Sequence, residues 1–445
     1  MTAGLLALLF GAIGTNAAQA QSAANSGKLS GLLPSLLQNT VVLAPPTIAG
    51  VPSHEAHFLP TATDNIYLVP NQFNSALLSA LTTFPLGSSS GGFVYEGDPA
   101  VGDFKPASRS YGPSFAERAL TSGKGNFNFG FTFQAASYDK FEGKDLDGGG
   151  IKFYLQHIDC CQPTGAGSFP NPFFEGDLVE TSVSMKIDTR TTAFLFNYGL
   201  TDRWDIGAAL PITKVNIDAS IDARVDRIAT SGTPTLHQFA TGNPNENISS
   251  VSGDATGLGD IVLRTKSRFM KAQGGGLAAG LDLRLPTGDE EDLLGLGTTQ
   301  AKFLLIGSTE FGNLAPHVNL SYAVAGDSSL QDIDIANEFG YTFGVDAVAG
   351  KVTVAFDVIG RTLFDAGRFA DTTRTFPELG LPAATRTEFG RTDGNLSQVL
   401  GVIGVKVPVA NRLLITANGL FSLNDAGLKA KFIPVIGFEY VFPRQ

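Results

Sequence analysis

The sequence predicts an all-β protein: a closed antiparallel transmembrane β-barrel of about 12 strands, preceded by an irregular N-terminal segment. Three observations predict it. From Gly125 onward, aromatic and aliphatic residues recur at every second position, with Gly, Thr, Asn or charged residues between them. Short connections alternate with long ones along the same stretch. Finally, hydrophobic residues make up 43% of the chain, yet nowhere do they form the run of ~20 that a helical span requires.

The composition agrees. Charged residues are only 16% of the 445, with 52 Gly and 33 Phe, while the mean hydropathy is just +0.10. Middling hydropathy with many aromatics is what results when one strand face wets lipid and the other wets water. A soluble β-sandwich can share these totals, so the placement of the aromatics has to decide. The formal net charge of −11 excludes nucleic acid as a partner, because phosphate binding needs a basic surface.

Residues 1–20 read as a signal peptide. Leu5 to Ile13 form a short apolar run, and Ala18-Gln19-Ala20 gives an A-x-A cleavage site; Met1-Thr2-Ala3-Gly4 departs from the pattern in lacking Lys and Arg. Residues 21–124 form the irregular segment, punctuated by Pro45-Pro46, Pro52, Pro60, Pro70 and Ser88-Ser89-Ser90-Gly91-Gly92. Leu29–Leu37 and Phe73–Leu81 have the spacing of amphipathic helical turns. The segment is either periplasmic or a lumen plug. Its apolar content favours partial insertion in the lumen, being too high for a linker.

Residues 125–445 form the barrel. Phe127, Phe129, Phe131 and Phe133 alternate with Asn126, Asn128, Gly130, Thr132 and Gln134, which sets four rings on one face and amides on the other. The same parity recurs in Leu277–Leu285, in Phe339–Val345 and in Phe432–Phe442. No charged residue falls on the Phe127 or Phe432 faces, as a lipid-exposed surface demands. Short connections fall at Thr201–Arg203, Lys271–Gly276, Gly312–Ala315, Gly350-Lys351 and Pro408–Arg412. Long ones fall at Lys140–Gly176, Asp226–Leu258, Pro286–Gln300, Gly326–Ala336, Ala366–Gly394 and Asn424–Ala430. Short periplasmic turns facing long extracellular loops are the bacterial barrel pattern, and an even strand count leaves both chain ends periplasmic. The expected location is the bacterial outer membrane. Lipid, lipopolysaccharide and the barrel assembly machinery are the expected partners, although Phe442 is followed by a three-residue tail rather than ending the chain.

Asn197–Gly207 (NYGLTDRWDIG), Gly257–Lys266 (GLGDIVLRTK), Gly275–Glu291 (GGLAAGLDLRLPTGDEE) and Ser114–Leu120 (SFAERAL) carry a resemblance. They resemble the outer-membrane family described as transporters of the phenol-degradation meta pathway, distantly similar to the FadL-like long-chain fatty-acid transporters. The resemblance covers about Gly125 to Phe442 and implies passive uptake of small, poorly soluble compounds. It implies no particular substrate and no binding residue.

Reactive chemistry finds little support in the sequence. The five histidines are His54, His57, His157, His237 and His317, and only His317 lies within a clear strand, on the face of Asn319 and Ser321. That arrangement reads as polar lumen lining rather than a catalytic group. His54-Glu55-Ala56-His57 lacks the i, i+4 spacing of a helical zinc site, so neither metal nor cofactor is expected and the protein is not expected to be an enzyme. Asp289-Glu290-Glu291-Asp292 lacks the spacing of a calcium loop and reads as a solvated loop, bridged at most to lipopolysaccharide phosphates by a divalent cation. Gly274-Gly275-Gly276 is a turn. The adjacent pair Cys160-Cys161 sits too close for an unstrained bridge and reads as two loop thiols or an intermolecular link.

The inward parity selects Arg264, Lys266, Asp282, Arg284, Asp346, Asp357, Lys406 and Glu439 as lumen-lining candidates. Folding the strands in order sets Arg264 beside Asp282, and Asp346 near Asp357 with Arg361 further up. These groups are either a selectivity path or ion pairs filling a narrow pore. Three function classes follow: a passive transporter or channel for small hydrophobic or aromatic compounds; a structural or adhesive barrel acting through its loops; and a soluble secreted β-protein, which the charge-free aromatic faces argue against.

Overall fold

The computed structural model describes residues 27–45, 54–59, 77–82, 92–98, 103–157, 176–230, 236–240, 242–326, 335–376 and 383–442. The signal peptide and Cys160-Cys161 lie outside them. No helix among the described residues is long and apolar enough to cross a membrane. Twelve strands make the barrel: β1 (Phe127–Tyr138), β2 (Leu178–Thr201), β3 (Trp204–Asp226), β4 (Val262–Ala272), β5 (Gly275–Arg284), β6 (Gln300–Ser308), β7 (Leu314–Ala325), β8 (Glu338–Ala349), β9 (Val352–Leu363), β10 (Leu396–Ala410), β11 (Leu413–Ser422) and β12 (Ile433–Phe442). Each pairs antiparallel with its neighbours in sequence, and β12 closes the sheet onto β1 from Val435↔Gln134 to Phe442↔Phe127. Closure leaves no barrel edge, so the spanning backbone pairs strand to strand all the way round.

The outer surface follows the alternation. Ile206, Phe303, Leu305, Phe343, Ile403, Ile415 and Ile436 are each more than two-fifths exposed. In water such a belt would be an aggregation site; around a closed barrel it is the lipid face. Phe129 stacks towards Phe194 and Phe196 on β2 and Phe438 on β12, so the β12–β1 seam is bordered by rings across three strands. Trp204 lies at the short-turn rim, where its indole donates to Thr265 Oγ1 at 2.6 Å. The result is a barrel of outer-membrane type.

β2 and β3 are far longer than a membrane needs. With 24 residues at ~3.4 Å each, β2 reaches roughly 80 Å, against an apolar band of about 25 Å. Beyond the bilayer, the strand Ile151–Gln156 pairs with the outer part of β2, and Glu246–Leu258 pairs with the outer part of β3. Both lie inside spans that the sequence presents as loops, as does the hairpin Arg368–Phe376/Ala384–Thr392. The physical reason is plain in Glu246–Leu258. Its inward positions include Ser249, Val251, Gly253 and Ala255, too small to mark an apolar face.

Helix α1 (Leu32–Thr40) presses on that small-residue face. A Cβ at Gly253 would lie 2.7 Å from a Leu32 methyl and 2.9 Å from a Leu29 methyl, so a larger residue there would have to displace these side chains. Leu29, Leu32, Leu36 and Leu37 join one apolar core with Val183, Ile187, Ile217, Phe153 and Phe389. At about 1.5–3 kcal/mol for each fully buried leucine, this core is what holds the start of the described chain at the outer end. Residues 77–82 are also helical and bury Leu77, Leu78 and Leu81 in the same core.

Candidate functional site

The interior divides by depth. At the short-turn end, residues 108–122 run across the lumen and bind its wall. Ser110 Oγ donates to Asp346 at 3.0 Å, and the Phe115 amide donates to Asp357 at 3.2 Å. Glu117 N donates to Asn319 Oδ1 at 2.6 Å while Asn319 Nδ2 returns a bond to Glu117 O at 2.8 Å. The Ala119 amide donates to Ser308 Oγ and the Ser122 amide to Asp205, both at 2.9 Å. Room for this chain is made in the wall: a Cβ at Gly404 would lie 2.1 Å from Ser114 Oγ. Buried Arg118 ties the run to itself and to Gly92, donating to the carbonyls of Ser110 and Gly92 at 3.0 Å each.

The sequence-derived candidates all lie on the inner wall, and most meet this run. Lys266 is 3.3 Å from Glu117 and donates to Arg118 O at 3.1 Å. Lys406 donates to Tyr111 O at 3.3 Å, and Glu439 accepts from the Gly92 amide. Asp346 and Asp357 flank His317, whose Nε2 is 2.7 Å from Asp357 and whose Nδ1 is 4.0 Å from Asp346. His317 thus sits in a carboxylate clamp, and Ser321 is not among its partners.

Arg264, Asp282 and Arg284 stand higher, towards the long loops. Arg264 and Asp282 are directly opposed in register, 3.4 Å apart, with Glu117 at 3.9 Å from Arg264. Arg284 instead donates to Thr82 O at 2.7 Å. Lys302 and Arg361, both beside Glu338 at 3.3 and 3.8 Å, complete this charged band. Above the Glu117 level, the band borders a cavity of about 170 Å³. The rest of its wall mixes apolar side chains, Phe115, Tyr138, Ile359, Leu400, Leu428 and Ile433, with uncharged polar ones such as Asn319, Thr342, Gln398 and Asn424. The cavity therefore has a charged, internally paired belt and an upper wall of apolar and uncharged polar side chains.

Sequence reasoning missed the partners contributed by the N-terminal segment, Glu117 and Arg118 above all. The signal was present in SFAERAL: two adjacent opposite charges inside a run of small and apolar residues, both of which are buried. The acidic loop was also read too simply. Asp289 and Asp292 accept from Lys28 Nζ at 2.6 and 2.9 Å, so two of its four carboxylates dock the start of the described chain.

A second cluster lies outside the membrane span, by the outer ends of β2 and β3. His54, His57, His157 and His237, scattered in sequence, meet there. His54 Nδ1 is 3.1 Å from His157 Nε2 and 3.0 Å from His237 Nε2, and His57 Nδ1 is 3.0 Å from His157 Nε2. Burial, with the neighbouring His237 and His57 rings, pushes His54 down to about 4. Burial and His237 also lower His57. Burial opposes the charge of Asp177, but hydrogen bonds from His237 and Thr230 hold its carboxyl below the usual value.

No protein-family model matches the sequence, and no curated protein matches it. Among solved structures, the chain is similar to an outer-membrane channel of Pseudomonas putida F1, at 11% identity and a TM-score of 0.45, covering 73% of this chain and 98% of that one. A FadL homologue of Pseudomonas aeruginosa is similar at 12% identity and a TM-score of 0.32, over 72% of this chain and 90% of that one. The toluene transporter TodX of Pseudomonas putida is similar at 10% identity and a TM-score of 0.24, over 79% and 96%. At these levels the barrel described above rests on its own strand pairing.

Proposed function

We propose that the chain is a passive outer-membrane transporter for small hydrophobic or aromatic compounds. The observation that carries this reading is the cavity of about 170 Å³ between the residue 108–122 run and the apolar outer core. By volume, a space of ~150 Å³ is enough for a benzene-sized molecule. Its charges are paired among themselves and so offer no net attraction to a bare ion, whereas Tyr138, Ile359, Leu400 and Ile433 offer apolar surface. The resemblance carried by NYGLTDRWDIG and GLDLRLPTGDEE to the phenol-degradation meta-pathway transporters supports the same substrate class. Residues 108–122 act in this reading as a plug, held by the wall carboxylates and amides.

Lipopolysaccharide is the proposed outer neighbour. Arg190 and Lys214 are opposed across β2 and β3 on the outward face, beyond Phe194 and Ile212 towards the long loops, and two neighbouring cations there would suit lipid phosphates. The test is initial uptake of radiolabelled toluene and phenol by cells that lack the protein and are complemented with wild type or Leu400→Trp. Wild type should raise uptake several-fold, and the indole that fills the cavity should remove most of the gain. Equal uptake with and without the protein would leave the loop-driven adhesive barrel as the better account.

A further inference from the structure

We propose that His54, His157 and His237 form a binding site for a divalent first-row transition-metal ion, with zinc as the best fit. The three residues come from separate parts of the chain: the short stretch 54–59, the residue after the strand Ile151–Gln156, and the stretch 236–240 between β3 and Glu246–Leu258. All three are buried, and one nitrogen from each ring lies within 4.8 Å of the other two. Two of the separations are 3.1 and 3.0 Å. In a tetrahedral site with Zn–N bonds of ~2.0–2.1 Å, ligand nitrogens stand about 3.3 Å apart. Two of the three pairs are therefore near the spacing of a metal's ligand sphere, and the third lies within 4.8 Å. Imidazole suits zinc, copper and nickel, and excludes the oxygen-seeking calcium and magnesium.

The surroundings are those of a metal site rather than of a histidine pile. His237 Nδ1 meets Asp177 Oδ2 at 2.8 Å, which sets the proton on Nδ1 and turns the Nε2 lone pair towards the centre. Asp177 is itself fixed, by the amides of Ala229 at 2.8 Å and Thr230 at 3.0 Å and by the Thr230 hydroxyl. This carboxylate–histidine pairing orients a ligand and raises its basicity. Phe58, fully buried, packs edge-on against both His157 and His237 and gives the site a dry wall. His57 Nδ1, 3.0 Å from His157 Nε2, brings a fourth imidazole to the edge of the cluster. A cation accepts all three lone pairs at once, whereas a single proton shared among three nitrogens does not. The bound ion ties the stretch 54–59 to the outer ends of β2 and β3, and the site does not depend on what the lumen carries.

The experiment uses the full chain in detergent, stripped with a chelator and titrated with Zn²⁺ in a calorimeter. Wild type should bind one equivalent. His157→Ala with His237→Ala should abolish that equivalent, with folding checked by heat-modifiable gel migration. Asp177→Asn keeps all three imidazoles and should weaken binding 10–100-fold. Co²⁺ in place of Zn²⁺ should give the intense visible bands of tetrahedral coordination. Absence of a one-equivalent Zn²⁺ isotherm, or unchanged affinity in the folded double variant, overturns the site. Should the double variant fail to fold, unchanged affinity in Asp177→Asn together with a weak, octahedral-type Co²⁺ spectrum overturns it equally.

Discussion

The two halves of β2 exchange their faces. Towards the short-turn rim, Phe194, Phe196 and Tyr198 point outward while Thr191 and Asn197 point in. Towards the long loops, Lys186, Asp188 and Arg190 point outward while Val183, Met185 and Ile187 are buried. β3 makes the same exchange, from Ile206, Leu210 and Ile212 outside to Val215, Ile217 and Ile221 inside. One strand thus serves two solvents: lipid outside and a polar lumen in the lower half, water outside and an apolar core in the upper. Alternation reports that a strand has two faces. It does not report which one is buried.

The largest effect should come from the interior around Glu117. Arg264→Glu with Lys266→Glu turns two partners of Glu117 into repelling carboxylates in a buried site. Removing one partner of a buried pair costs roughly 3–5 kcal/mol. The run 108–122 should loosen, and planar-bilayer conductance should rise several-fold with the reversal potential in a salt gradient unchanged. A shift in ion preference at constant conductance would instead make the charges a filter.

The membrane boundary on β2 can be tested directly. Phe194→Arg should cost about 2–4 kcal/mol in urea unfolding from lipid vesicles, as Arg facing mid-bilayer lipid does. Asp188→Arg, on the same face but beyond the belt, should stay within about 0.5 kcal/mol. Similar penalties at the two positions would show that the belt is misplaced.

The smallest effect concerns the exposed contact of Lys28 with Asp289 and Asp292. The hydrogen bond from Lys28 holds Asp289 below its usual 3.8, and the two carboxylates hold Lys28 above its usual 10.5. The contribution of Asp289 is present above pH 3.8 and is lost as pH falls through the lowered value. That of Lys28 is present below pH 10.5 and is lost as pH rises through the raised one. Proteolytic cleavage near residue 28 should therefore be slowest between these limits and faster in high salt. A rate that follows only the protease's own pH profile would show that the contact does not hold the chain.

The barrel was legible because its signals are local. Phe127 to Phe133 announce their parity without any knowledge of their neighbours, and the alternating connection lengths supply the strand count independently. The Arg264–Asp282 pair was legible for the same reason, since a short hairpin fixes its register. What stayed hidden depends on contacts between remote segments. Glu246–Leu258 shows no apolar face because α1, some two hundred residues earlier, supplies the bulk. The histidine cluster is the extreme case: His54-Glu55-Ala56-His57 has the wrong spacing for a helical metal site, and nothing local says that His157 and His237 arrive beside it.

The seam between β12 and β1 constrains the order of assembly. It joins the last barrel strand to the first, so the cylinder stays an open sheet until the whole chain has been delivered. Residues 108–122 lead directly into β1 and hydrogen-bond to walls contributed by strands from β3 to β11. Laying this run against a curling sheet needs no threading, whereas inserting it into a finished cylinder would. An order in which enclosure precedes sealing thus avoids threading, with the pairing of Phe127 against Phe442 closing the wall around the segment.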